Sequence, residues 1–461
     1  MKQMLSGLTS RITLVLCILA LAGPAWVHAS DKSWKAGVAK TEITPAEPLW
    51  LAGYAGRTKP AEGKEMTLWI KVLAVEDADT NRAIILTSDT LGIPQSIYRN
   101  VCAGLKDRFN LQPEQILLTA SHTHCGPVLR SSLYDAYPLD TNQLNLIEDY
   151  STKLERQIVE TVGRALDDLE PAKLASGEGS TGFAVNRRNN PEKNVSQLIS
   201  QHALKGPVDH SVPVLAVSLP DGKLKAILFG YACHNTTMDY YKWSGDYAGF
   251  AQIALEKSHP EAMAMFFMGC GADQNPLPRR SITLAQRYGN MLAAAVEEAL
   301  LGPPIEIEPV LRTSLEMITL NFGPPLTSDE LEKLAADPAP SHQRWAKRLL
   351  AQMKAGQPFA RTYPYPVQVW RFGEKQMLIT LAGETVVDYS LKFKQLFGRQ
   401  TWVAGYCNDV MTYIPSLRVL KEGGYEGGAA MIPYGQPALR WGDDVEDLIT
   451  GAVERMVQRV R

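Results

Sequence analysis

Five short apolar runs along the chain stop abruptly at polar residues. Arg82-Ala83-Ile84-Ile85-Leu86-Thr87 stops at Ser88-Asp89, and Gln115-Ile116-Leu117-Leu118-Thr119-Ala120 stops at Ser121-His122-Thr123-His124. The run 226–231 stops at Ala232-Cys233-His234-Asn235, 262–268 at Gly269-Cys270-Gly271-Ala272-Asp273, and 376–381 at Ala382-Gly383-Glu384. Continuous apolar runs of this length predict strands covered on both faces. Between them, apolar positions at helical spacing predict amphipathic helices over 143–169, 247–257, 285–301 and 446–460. Strands alternating with helices predict an α/β fold: a mixed or mostly parallel sheet core with flanking helices, in a single main domain over 30–461. In such sheets ligands collect beyond the carboxyl ends of the strands. The polar clusters of this chain sit at those ends.

Two stretches depart from this rhythm. From about 324 to 366 the pattern is that of a helical excursion: Thr327-Ser328-Asp329-Glu330 is a helix-start signal, and 341–354 is charged, amphipathic and flanked by prolines. At the N-terminus, Lys2 and Arg11 precede the apolar run 12–22 and then Val27-His28-Ala29, a small-residue cleavage pattern. Residues 1–29 are therefore expected to be a signal peptide, and the mature chain to be secreted or periplasmic. No later run reaches about 18 consecutive apolar residues, so no transmembrane segment is expected in the mature chain.

Charge narrows the partners. With 21% charged residues and a formal net charge of −2 there is no basic footprint for nucleic acid, which leaves a small-molecule substrate or another protein. Of six cysteines, Cys17 lies in the signal segment. The other five, Cys102, Cys125, Cys233, Cys270 and Cys407, are an odd number, so a disulfide framework is not expected to hold the fold.

Eight histidines less His28 leave seven, and three of them fall at predicted strand ends. In an extended segment, residues two apart share a face, so His122 and His124 can reach one site. They suit a zinc ligand with a neighbouring proton shuttle, or one of them is a turn residue. His234 ends another strand. Glu384 is a carboxylate at the end of an apolar one, where burial demands a partner: a metal, an arginine or a helix N-terminus. Asn408-Asp409 is a further polar pair at a strand end. Two histidines with one or two carboxylates and an open position suit a catalytic zinc site. Glycine-rich turns at 244–246, 269–276 and 422–428 allow close backbone approach to a ligand, although surface turns use the same residues.

Taken in order, these segments resemble the catalytic domain of the neutral/alkaline non-lysosomal ceramidases from about Gly37 onward. The resemblance is carried by Thr41-Glu42-Ile43-Thr44-Pro45, Ala52-Gly53-Tyr54, Ser121 to Pro127 around His-Thr-His, Asn186-Arg187, His234-Asn235-Thr236-Thr237 and Ser244-Gly245-Asp246. It implies a Zn2+ amidase acting on an N-acyl compound or lipid. Carried over, the metal ligands are His122, His234 and Glu384, with Asp409 standing where the family has a ligand tyrosine. His124 and Arg187 are implied to face the substrate, as shuttle and oxyanion or anion holder, with Tyr425 as a further hydrogen-bond donor. Asn186, Asp273 and Gln274 are implied substrate contacts, Gln274 occupying the place of a family serine. The sequence ends where that family continues into an immunoglobulin-like domain. A zinc deacetylase or esterase of sugar-linked substrates, or a non-catalytic binding homologue, are the alternatives.

Overall fold

The computed structural model describes residues 33–461, and the expected signal peptide lies outside them. All five apolar runs are strands, at Arg82–Ser88, Ile116–Ala120, Leu224–Tyr231, Met263–Met268 and Gln376–Leu381. The four expected helices form at Thr141–Asp167, Asp246–Ser258, Ile282–Leu301 and Val445–Arg459. A fifth, Gln95–Phe109, packs beside Thr141–Asp167. The residues Ser33–Arg461 form one compact unit.

The main sheet runs in the order Met263–Met268, Leu224–Tyr231, Ser211–Ser218, Glu170–Ser180, Trp34–Glu42, Trp69–Glu76, Arg82–Ser88, Ile116–Ala120, with Ile305–Ile307 also paired to Glu170–Ser180. It is mixed, and not mostly parallel: only its two outermost pairs are parallel. Short connections explain this. Trp69–Glu76 turns into Arg82–Ser88 through a loop in which Asp77 Oδ1 accepts from the Asp79 and Asn81 amides at 2.9 and 2.8 Å. Connections of a few residues join only antiparallel strands.

A second sheet, Leu311–Asn321, Thr362–Phe372, Gln376–Leu381 and Trp402–Ala404, packs on one face of the first. Leu73, Ile85, Leu228 and Phe267 meet Trp370, Leu378 and Trp402 between them. Helices cover the outer face of each sheet, giving four layers. The apolar runs are thus buried on both sides, but for most of the main sheet one of those sides is another sheet. Glu170–Ser180 escapes detection in the sequence because it is polar and glycine-rich. A Cβ on Gly179 would lie 1.9 Å from the Ala295 carbonyl of the covering helix.

The excursion contains helices Ser328–Ala335 and Pro340–Lys354, with Thr327 and Glu330 capping each other and Leu331, Trp345 and Leu349 in a small core of their own. It ends before Thr362, where the second sheet resumes and Tyr365, Val367 and Val369 turn inward. All five cysteines of the described residues are buried and unpaired, so burial keeps these thiols from reaching another chain.

Residues 404–413 weave across the strand ends of both sheets. The Gly405 amide donates to Met268 O (3.0 Å), Cys407 to Leu381 O (3.0 Å) and Asn408 to Leu118 O (2.7 Å). Asn408 Oδ1 accepts from the Leu118 amide at 2.9 Å and its Nδ2 donates to Gln368 Oε1 at 3.0 Å. Its φ of 63° is one that asparagine tolerates better than most residues. Asn408→Ala leaves the Leu118 amide bare and strains the backbone. We expect a loss of about 2–4 kcal/mol in denaturant unfolding; a loss within error would show that Asn408 does not tie the sheets together.

Candidate metal centre

His122 follows directly on strand Ile116–Ala120, at a left-handed φ of 57°. Its Nδ1 lies 2.6 Å from Leu91 O. A carbonyl only accepts, so Nδ1 carries a proton, and in this tautomer of the imidazole Nε2 presents a lone pair. His234, beyond strand Leu224–Tyr231, repeats the arrangement with its Nδ1 2.8 Å from Gly271 O. Burial pushes the His234 pKa down to about 4, so the ring is neutral at ordinary pH.

Glu384 reaches the same point from the second sheet. Gly383 (φ 68°) makes the turn; a Cβ there would lie 2.7 Å from Thr412 O. Glu384 Oε2 stands 3.2 Å from His122 Nε2 and 3.0 Å from His234 Nε2, while Oε1 accepts from the Tyr434 hydroxyl. Tyr413 Oη lies 3.0 Å from His234 Nε2 and accepts from Arg187 Nη2 at 3.1 Å. It is brought there by the parallel pairing of Glu384–Thr385 with Tyr413–Ile414. The carboxylate oxygen Oε2 is buried and has no hydrogen-bond partner. Two imidazole Nε2 atoms and a carboxylate oxygen therefore crowd one point, with the Tyr413 hydroxyl and His124 Nε2 at its edge. Such a set fits a cation, and its N/O composition suits zinc.

His124 completes the cluster. The ligand atoms of His122, His124 and His234 lie within 4.8 Å of one another. His124 Nε2 is 3.2 Å from His122 Nε2, and its Nδ1 is buried without a partner. The ring fits only because residue 53 is glycine (φ 101°), where a Cβ would stand 2.4 Å from His124 Cγ. A cavity of about 170 Å3 opens over the cluster, lined among others by His124, Glu384, Tyr413, Arg187, Tyr425 and Thr236.

The family profile described as neutral/alkaline non-lysosomal ceramidase, N-terminal, matches residues 34–275, which include His122, His124, Arg187 and His234. The chain belongs to this family. Neutral ceramidase B of Dictyostelium discoideum is 27% identical over 239 residues, 49% of this ceramidase-family chain; the match spans about a third (32%) of that relative. A solved structure of a ceramidase complexed with C2 superposes with a TM-score of 0.68 at 20% identity, covering 92% of this chain and 76% of that one. The neutral ceramidase from Pseudomonas aeruginosa gives 0.67 at 21% identity, covering 92% and 75%. These two share the fold.

Among the residues expected from the sequence, the structure brings together His122, His124, His234 and Glu384, with Arg187 and Tyr425 on the cavity wall. Arg187 is largely engaged within the protein: Nε donates to Glu426 Oε1 at 2.7 Å and Nη1 to Asn275 Oδ1 at 3.3 Å. Tyr425 is half exposed, its ring edge-on to Tyr413 at 5.1 Å.

Four of the expected residues are engaged in other contacts. Asp409 turns away from the cluster, its Oδ2 accepting from Tyr363 Oη at 2.7 Å and Gln95 Nε2 at 3.0 Å. Asn186, Asp273 and Gln274 are buried and do not line the cavity. Asn186 Nδ2 donates to Pro207 O and to Asp273 Oδ2, while Asp273 Oδ1 accepts from the Val387 amide. Gln274 Oε1 accepts from the Asp209 amide, and its carbonyl from the His234 amide at 2.8 Å. With their polar groups engaged in this way, they position Arg187 and His234.

The sequence reading missed Tyr413 and Tyr434. Both are tyrosines among apolar neighbours, where a core position is the ordinary interpretation. The signal available was Tyr413-Ile414 as a short strand matching Glu384-Thr385.

Two substitutions separate Tyr413 from Asp409 as the fourth donor. Tyr413→Phe is expected to weaken zinc binding by roughly 10–100-fold, the range that even outer-shell changes produce, whereas Asp409→Asn leaves zinc content unchanged. Burial also raises the Asp409 pKa to about 7. A raised carboxyl pKa favours the fold fully below about pH 4 and loses that contribution as pH rises through about 7. Asp409→Asn should therefore gain on the wild type in thermal stability from pH 5 to pH 8. A constant difference across that range would contradict this.

Proposed function

We propose that this chain is a zinc-dependent hydrolase of an amide (N-acyl) bond, its metal held by His122, His234, Glu384 and Tyr413. The observation that carries this reading is the bare Glu384 Oε2 facing two imidazole lone pairs. When bound, zinc supplies Lewis acidity and brings the pKa of a coordinated water to about 7.

The protein's own groups do the rest. Leu91 O and Gly271 O fix the two imidazole tautomers, and the Tyr434 hydroxyl holds Glu384 so that Oε2 points inward. Burial, with His122 and His234 close by, keeps His124 neutral by pushing its pKa well below 6.5. A neutral imidazole in the cavity wall can take a proton from the attacking water and deliver it to the departing nitrogen. Burial pushes the Tyr413 phenol pKa well above its ordinary value, and Arg187, anchored by Glu426, works against that shift by donating to Tyr413 Oη. Export is part of the same reading, supported by the leader-like pattern of residues 1–29. No helix among the described residues is long and apolar enough to cross a membrane.

Metal analysis should find one zinc per chain, lost in His122→Ala and in His234→Ala. Chelation should abolish N-acyl hydrolysis and added zinc should restore it. His124→Ala is expected to keep its zinc while kcat falls about 10²–10⁴-fold. Full hydrolysis by a zinc-free preparation would sink the reading, and loss of zinc in His124→Ala would make that residue a ligand instead of a shuttle.

A further inference from the structure

The cavity over the cluster is small. Its volume of about 170 Å3 is below the ~300–1,000 Å3 of pockets that enclose drug-sized ligands. Thr236 and His124 both line it, and Thr236 Oγ1 and His124 Nδ1 are buried without any hydrogen bond.

A second arginine, Arg279, lines the same cavity. Unlike Arg187 it turns Nε and Nη2 onto a single oxygen, Glu192 Oε2, at 3.1 and 2.7 Å. Its Nη1 therefore has no protein acceptor among the described residues. Glu192 is also shared with Arg280 at 3.1 Å, so one carboxylate serves two guanidiniums. Beyond the inner cavity lies a larger one of about 520 Å3, also bordered by Arg187, Arg279 and Tyr425 and walled by Arg188, Glu422 and Glu426. Hydrocarbon laid there would strip water from charges, which is unfavourable. A polar group would not.

We infer that the substrate is a short-chain N-acyl amino acid, its acyl group in the inner cavity and the carboxylate of its amino acid portion on Arg279 at the boundary with the outer one. This rests on the amidase reading above. The water oxygen bonds to the acyl carbon, the C–N bond breaks and the nitrogen takes up a proton, so that a short carboxylate and a free amino acid leave. An N-acylsphingosine offers Arg279 no anion and brings two long chains to a charged vestibule. Arg279 is the residue that selects the class, through a charge-assisted contact that a neutral analogue cannot make.

The zinc-loaded full chain should be assayed on N-acetylalanine, on N-acetylalanine carboxamide, and on C16 N-acylsphingosine in detergent micelles. The acid is expected to exceed the carboxamide in kcat/KM by about 10-fold or more, and the sphingolipid by a wider margin. Arg279→Gln should bring the acid-to-carboxamide ratio to about one, through a raised KM, and Arg279→Lys should restore part of it. Equal hydrolysis of acid and carboxamide by the wild type, preference for the sphingolipid, or an Arg279→Gln variant that slows both small substrates and keeps their ratio, each overturns the inference alone. No turnover of any of the three by zinc-loaded protein overturns the amidase reading, and the inference with it.

Discussion

The centre of this molecule is a crowding of polar atoms, brought from both sheets to one point: two imidazole Nε2 atoms and a carboxylate oxygen. Glu384 Oε2 lies 3.2 and 3.0 Å from imidazole nitrogens whose ring protons are committed to backbone carbonyls on the far side. Acceptors at that distance repel unless a cation or a shared proton sits among them. Much around the cluster serves to hold the three groups despite that repulsion. His122 keeps a left-handed backbone, Gly383 makes a turn no side chain would allow, and Tyr434 restrains the outer oxygen of the carboxylate.

The surroundings are organised by charge pairing of a different kind. Arg187 and Arg188 share Glu426, and Arg188 reaches Glu422 as well. Arg187 thus has its geometry set from outside the cavity while it touches the Tyr413 oxygen inside it. A half-buried guanidinium whose three nitrogens each donate to a protein group is a rigid donor. Tyr425, stacked edge-on against Tyr413 and within 5.8 Å of the Arg187 guanidinium carbon, covers this pair without adding charge.

How much of this was readable in the chain depended on the element. Strands such as Ile116–Ala120 and Met263–Met268 announce themselves because they are covered on both faces, and their ends carry His122 and Gly269-Cys270-Gly271 at once. Glu170–Ser180 was hidden because close packing of the helix Ile282–Leu301 demands glycines where a strand usually shows branched side chains. Strand direction was also hidden, since a buried strand looks alike in parallel and antiparallel company. At the site, histidines and a terminal glutamate stand out by their rarity in apolar runs. Tyr413 does not, because a tyrosine is equally at home in a core, and Asp409 attracted attention for a charge that in fact serves Tyr363 and Gln95. Only the pairing of Glu384 with Tyr413 distinguishes them, and pairing between segments is a property of the folded chain.

The proposed donors at positions 122, 234, 384 and 413 come from both sheets, and the segment that sews those sheets together, through Asn408, carries the last of them. Contacts so distant in sequence close slowly, after local helices and hairpins have formed. On the zinc reading the four groups converge only in the finished fold, and an unfolded chain would offer a metal scattered histidines in place of a site. Binding would then draw only on the finished state and shift the equilibrium toward it in proportion to free metal, so that the supply of the ion acts as a check on whether the chain has finished folding.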